Sequence, residues 1–253
     1  MTYTDLIFDL YGTLVDIHTD ENDLVWKKTA LYLSFHGAPF TGPELKAAFL
    51  AALEKRTQEE KQKFTHPDIP FEQIMAQLFR KSGVNENADT LAANAEQLFR
   101  ITSMEYIKLY PGVPDALSSL RKQGCRLWLL TNAQRVFTWN ELCLLGLDSI
   151  FDGIYISSDY GCRKPDPLFF RALLEEQNLD PTRCLMIGKD RDTDIAGAQG
   201  MGLATLYLHT NLTPWDQAEA SPALLPGKAP ADCRQFEYEG WNWAELARLI
   251  PQL

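Results

Sequence analysis

Asp9 ends the apolar run Leu6-Ile7-Phe8 and is followed by Leu10-Tyr11-Gly12-Thr13-Leu14-Val15, a tight glycine turn carrying a hydroxyl. A carboxylate ejected from a buried strand at such a turn is a candidate nucleophile, and the same pattern also serves an aspartate that merely caps the turn. Three further segments carry reactive side-chain types. Leu127-Trp128-Leu129-Leu130 ends in Thr131-Asn132, a hydroxyl and an amide able to donate to an oxyanion or to cap a helix. Lys164 stands just ahead of Pro165 and Pro167, where stiffened backbone can point a cation to a fixed place rather than into solvent. After Ile187-Gly188 comes Lys189-Asp190-Arg191-Asp192-Thr193-Asp194, an acidic loop suited to a hard cation or simply to solvation.

The elements that must position these groups follow from hydrophobic pattern. Five runs rich in apolar, aromatic or β-branched residues, at 6–8, 126–130, 153–157, 184–187 and 204–208, predict buried strands. Segments at 115–123, 140–145 and 168–177 carry apolar residues at helical spacing between them. The alternation predicts an α/β, Rossmann-like parallel sheet covered on both faces, with reactive groups at the carboxyl ends of the strands. Residues 1–15 and 110–253 make that core. Residues 16–109 show helical periodicity with little strand signal, and predict an inserted helical cap domain with helices at 23–35, 43–63, 71–81 and 88–109. The insert leaves just after Asp9 and returns near Tyr110-Pro111-Gly112, so it is expected to sit over the catalytic edge as a lid. Residues 211–234 read as an irregular excursion, 237–240 as an edge strand and 241–250 as a closing amphipathic helix.

Composition narrows the partners. A formal charge of −10 repels nucleic acid and anionic membrane surfaces, so an anionic substrate must be held by local cations. No run approaches bilayer-spanning length, and the N-terminus lacks the basic region and apolar run of a signal peptide; a cytoplasmic location is expected. Five widely spaced cysteines, at 125, 143, 162, 184 and 233, read as reduced thiols. Four scattered histidines show no ligand spacing. No element of the pattern speaks to oligomeric state.

The four segments, in this order, resemble the haloacid dehalogenase (HAD) superfamily with a type-one helical cap. The resemblance spans residues 1–15 and about 110–210. It implies Asp9 as nucleophile, Thr131 and Asn132 as the donor pair, Lys164 as the cation, and Mg²⁺ held by Asp9, the Tyr11 backbone carbonyl, Asp190 and Asp194. It further implies a hydrolase, foremost a phosphatase acting on a small phosphorylated metabolite through an aspartyl-phosphate. Lysine, hydroxyl and metal would oppose the charge on the phosphoryl oxygens while Asp9 attacks in line.

Two positions depart from the pattern. Phosphatases of the superfamily usually carry a second aspartate two residues after the nucleophile to protonate the leaving group; here that residue is Tyr11. Losing a positioned acid/base costs about 10² to 10⁴ in rate, least for aryl and acyl phosphates. Lys189 stands where the commonest spacing expects a ligating aspartate, and an ammonium there would displace Mg²⁺. Tyr11 followed by Gly-Thr-Leu also resembles the metal-independent 2-haloacid dehalogenases, the alternative enzyme. Against that stand Phe170 where they use tyrosine, lysines at Trp26-Lys27-Lys28 where they use arginine, and the retained Asp190 and Asp194. A degenerate binding protein of the same fold is the third reading. Trp26, Lys27 and Lys28 are the expected specificity residues.

Overall fold

The computed structural model describes residues 2–212 and 234–253. Its sheet has six parallel strands in the order β5-β4-β1-β6-β7-β8: β1 Asp5–Phe8, β4 Arg126–Thr131, β5 Gly153–Ile156, β6 Cys184–Gly188, β7 Ala204–His209 and β8 Gln235–Glu239. The apolar runs of β1, β4 and β6 are buried on both faces, as parallel strands between helical layers require. In register, Phe8 faces Leu129 on β4 and Ile187 on β6. The chain order reverses at β1, so the segments after β1, β4 and β6 leave the sheet side by side at one edge.

The helices over the core are α5 Val113–Lys122, α6 Arg135–Leu144, α7 Ser157–Tyr160, α8 Pro167–Glu176, α9 Ala196–Gly200 and α10 Trp243–Leu249. On one face Phe8, Leu117, Leu129 and Trp243 close a core, with the Phe8 and Trp243 rings 6.0 Å apart. On the other, Ile7, Trp128, Phe169, Phe170 and Met186 form a second layer. Each such side chain contributes about 1.5 to 3 kcal/mol on full burial, which anchors the strand ends that carry the site.

The insert holds α1 Asp23–Phe35, α2 Gly42–Glu60, α3 Phe71–Lys81 and α4 Ala88–Ser103, packed around Leu33, Leu45, Ile74 and Phe79. Its base differs from expectation. The helix read through to residue 109 ends at Ser103, and β3 Met104–Leu109 pairs antiparallel with β2 Val15–Thr19. Alternation in Met104-Glu105-Tyr106-Ile107-Lys108-Leu109 suits a ribbon exposed on one side, and the partner strand, 85 or more residues away, supplies the ladder. This ribbon is the two-strand stem between core and cap. The edge strand and closing helix appear as β8 and α10; most of the excursion read at 211–234 lies outside the described residues. Among the described residues, Cys143, Cys162 and Cys184 are free thiols, and no helix is long and apolar enough to cross a membrane.

Candidate active site

Asp9 emerges one residue past β1, its backbone N–H bonded to the Ile187 carbonyl at 3.0 Å, and is only 7% exposed. Lys164 reaches it from the loop between α7 and α8. The buried Nζ lies 2.9 Å from Asp9 Oδ1, 2.7 Å from Asp194 Oδ1 and 2.7 Å from the Leu130 carbonyl. The ammonium therefore donates hydrogen bonds to Asp9 and the Leu130 carbonyl and is ion-paired with Asp194. Burial alone would lower the lysine's pKa, but the carboxylates of Asp194 and Asp9 outweigh it and hold the ammonium charged. Asp194 is pushed up to about 6, first by burial and then by the like charge of Asp9. Its Oδ2 accepts the backbone N–H groups of Lys189 (3.1 Å) and Asp190 (3.0 Å). A Cβ on Gly188 would stand 2.3 Å from that oxygen, so only glycine lets the carboxylate lie against β6.

Thr13 Oγ1 donates to Asp9 Oδ2 at 3.3 Å. Thr131, at the end of the adjoining β4, is fully buried and its hydroxyl has no partner among the described residues. A buried orphan hydroxyl is costly unless a ligand supplies the missing bond. Asn132 does something other than expected. Its amide donates to the Lys164 carbonyl (3.0 Å) and its Oδ1 accepts the Lys164 N–H (2.8 Å), so it clamps the lysine's backbone. Phe170 is buried against Gly197, where a Cβ would lie 2.5 Å from the ring, and belongs to the core.

The metal donors expected from the sequence do not assemble. Asp194 has one oxygen on Lys164 and the other on two backbone N–H groups. Asp190 Oδ1 caps its own turn, accepting from Asp192 N (3.0 Å) and Thr193 N (2.9 Å), while Lys189 Nζ stands 4.0 Å from Oδ2. The Lys189 stem also crosses the Asp9 turn: at Gly12, whose φ is +78°, a Cβ would be 2.8 Å from Lys189 Cε. No cluster of three or more acidic, histidine or cysteine side chains suited to a metal occurs among the described residues. The residues present thus do not fit Mg²⁺ in this arrangement, because Asp194 is taken up by Lys164 and two backbone N–H groups and an ammonium stands beside the second oxygen of Asp190.

Tyr11 turns its phenol away from proton-donor duty. The hydroxyl donates to Glu141 Oε2 and lies 3.0 Å from Thr138 Oγ1, both on α6. Burial first, then the Glu141 charge, raises its pKa, so the phenol stays protonated. Glu141 in turn takes a two-point bond from Arg100 on α4, at 2.6 and 3.2 Å. None of this network was visible in residue spacing, since its members are brought together from three distant segments. The α2–α3 loop makes a second link: Asp68 accepts from Gln134 Nε2 (3.0 Å) and from the Ser157 hydroxyl, and its N–H reaches the Gly161 carbonyl (2.9 Å). Between these links lies a cavity of about 360 Å³ lined by Tyr11, Asn132, Gln134, Phe71, Arg100 and Phe137. Of the expected specificity residues, Trp26 is buried in the cap, and Lys27 and Lys28 face solvent.

A model of the haloacid dehalogenase-like hydrolases matches residues 6–202. The glyceraldehyde 3-phosphate phosphatase of Pyrococcus abyssi is 28% identical over 202 residues, covering 80% of this chain and 79% of its own. Among solved structures, the 2-haloacid dehalogenase of Pseudomonas syringae pv. Tomato DC3000 superposes with a TM-score of 0.63 at 20% identity, over 99% of both chains. The magnesium-bound HAD-hydrolase YfnB of Bacillus subtilis superposes at 0.55 with 21% identity, again over 99% of both. At these identities the structural likenesses concern the fold.

Proposed function

Because this chain belongs to the haloacid dehalogenase-like hydrolases, we propose that it hydrolyses the phosphate monoester of a small metabolite, with Asp9 as nucleophile. The observation that carries the reading is the convergence of the buried Asp9–Lys164–Asp194 triad with the partnerless Thr131 hydroxyl at one sheet edge. A phosphoryl group there gains a charged donor and the bond Thr131 lacks. The phosphatase relative supports the phosphate as electrophile.

In the proposed reaction an Asp9 carboxylate oxygen bonds to phosphorus, and the bond to the leaving oxygen breaks with its electron pair. Water then adds to the aspartyl-phosphate, releasing inorganic phosphate and restoring the carboxylate. Lys164 supplies fixed positive charge throughout, and Asn132 keeps it in place by holding its backbone. With Tyr11 committed to Glu141, no side chain at this position protonates the departing oxygen. Leaving groups stable as anions are therefore favoured: p-nitrophenyl phosphate should turn over at least about 10²-fold faster than ethyl phosphate. Equal rates on the two esters, measured by phosphate release, would contradict this assignment of Tyr11.

Mg²⁺ is the cofactor the family resemblance implies, and its binding here requires Lys189 to leave Asp190 and the Gly12 turn. The expected result is phosphate release that survives EDTA in the natural sequence. Lys189→Asp should make the rate rise with added Mg²⁺, since it removes the ammonium and adds a hard oxygen donor. Loss of activity in EDTA that Mg²⁺ restores would show that the lysine moves aside.

The same donor set favours a second reading, metal-independent displacement of halide by Asp9. Against it, Arg100 is held by Glu141 and is not free to receive a carboxylate or a halide. Chloride release from 2-chloropropionate, absent in Asp9→Asn, would establish it.

A further inference from the structure

The cap contains a second cavity, of about 130 Å³, next to the one lined by Tyr11 and Asn132; Phe71, Arg100 and Phe137 line both. Its walls are aromatic. Trp26 packs against Phe49 at 5.8 Å and edge-on against Phe99 at 4.7 Å, and Phe49 meets Phe71 at 5.5 Å between centroids. One buried acid opens onto this box: Glu96, on α4, is 3% exposed, and its Oε1 has no hydrogen-bond partner among the described residues. A buried carboxyl without a partner is unfavourable, and such groups in native proteins commonly mark a place for a ligand or ion.

The surroundings define the ligand. Burial, followed by the charges of Glu72 and Glu21, pushes Glu96 up to about 8, as befits an acid placed beside other acids. Arg100, the cation on the wall, is already neutralised by its two-point bond to Glu141. An aromatic enclosure with a net acidic lining is complementary to an alkylammonium group, which meets ring faces on its carbon side and a carboxylate at its N–H. An anion would be repelled, and a purely apolar ligand would leave Glu96 without its bond.

We propose that this cavity is the subsite for a protonated amine carried by the leaving group of the substrate, making the substrate class aminoalkyl- or aminoaryl-phosphates. The phosphate half of the statement rests on the phosphatase reading; the amine half rests on the cavity alone. Glu96 is the acidic contact, which ionises when the ammonium sits beside it, and Trp26, Phe49 and Phe99 are the walls that exclude water around it.

The test uses 4-(ω-aminoalkyl)phenyl phosphates with one to four methylenes, each against its 4-alkylphenyl phosphate counterpart lacking the amine. The best amine ester is expected to exceed its partner in kcat/KM by about 10- to 100-fold. In Glu96→Gln the ratio should fall toward one, and because both esters are measured on the same preparation the ratio does not depend on how much of the variant folds. A ratio near one in the natural sequence, or one that survives Glu96→Gln, overturns the proposal. A second measurement needs no turnover: tyramine should raise the melting temperature, 4-ethylphenol should not, and Glu96→Gln should lose the response. If no ester is hydrolysed but this tyramine response appears, the phosphatase reading fails and the amine subsite stands; equal responses to both compounds, or none, sink the subsite.

Discussion

Asp9→Asn is expected to lower kcat by at least about 10⁴-fold, whichever ester is used. An amide nitrogen or oxygen is too poor a nucleophile to form the covalent intermediate, so no slower version of the same route survives. The substitution is nearly isosteric, and Lys164 keeps Asp194 and the Leu130 carbonyl as acceptors, so the fold should persist. Binding of inorganic phosphate should likewise persist, because Lys164 and Thr131 remain. The measurement is a single-turnover assay with p-nitrophenyl phosphate alongside a thermal melt. A folded variant retaining more than about one per cent of the rate would remove Asp9 from its role.

Lys164→Met is expected to carry the second largest effect, on stability and on rate together. The ammonium is fully buried and separates two carboxylates. Taking away one member of a buried ion group leaves uncompensated charge, at about 3 to 5 kcal/mol. The cost depends on pH with a definite sign. Asp194 already has a folded pKa above that of the unfolded chain, through burial and the Asp9 charge, and removing Lys164 raises it further. A group with a raised folded pKa favours the folded state below its unfolded pKa, and that contribution disappears as pH rises through the folded value. The variant should therefore be closest to the natural protein near pH 5 and furthest from it above pH 7. Denaturant melts at the two pH values measure the gap. A gap independent of pH, or under about 1 kcal/mol at pH 7.5, would mean that the triad does not act as a charged unit. Activity should fall by about 10² to 10⁴ as the fixed positive charge is lost.

Lys164 and Asp194 also show where the sequence was readable and where it was not. The proline-flanked lysine and the acidic loop were legible as reactive segments, because residue type and strand-end placement are local properties. Their pairing was not: thirty residues separate Lys164 from Asp194, and the family pattern suggested a metal where the fold places an ammonium at 2.7 Å. Lys189 was legible as a conflict with Mg²⁺, but the path of its stem over Gly12 emerges only from the turn geometry after β6. The β2–β3 stem has little local signal, since residues 104–109 extend a helical window and a strand is defined by its partner as much as by its own alternation. Glu96 carries no signal in the sequence, being an ordinary glutamate on an amphipathic helix until the aromatic residues of α1, α2 and α3 close around it.

The chain's linear order was sufficient for the parallel sheet, the helical insert and the four reactive segments. Periodicity of burial and strand-end chemistry are written within ten or fifteen residues, and a parallel topology gathers the ends of β1, β4 and β6 without further instruction. Which groups neutralise one another was decided only in three dimensions. Asp194 answers Lys164, Glu141 answers both Tyr11 and Arg100, and Glu96 answers nothing. Charge interactions act through space, and their strength depends on burial and on distances of a few ångströms that no spacing along the chain encodes.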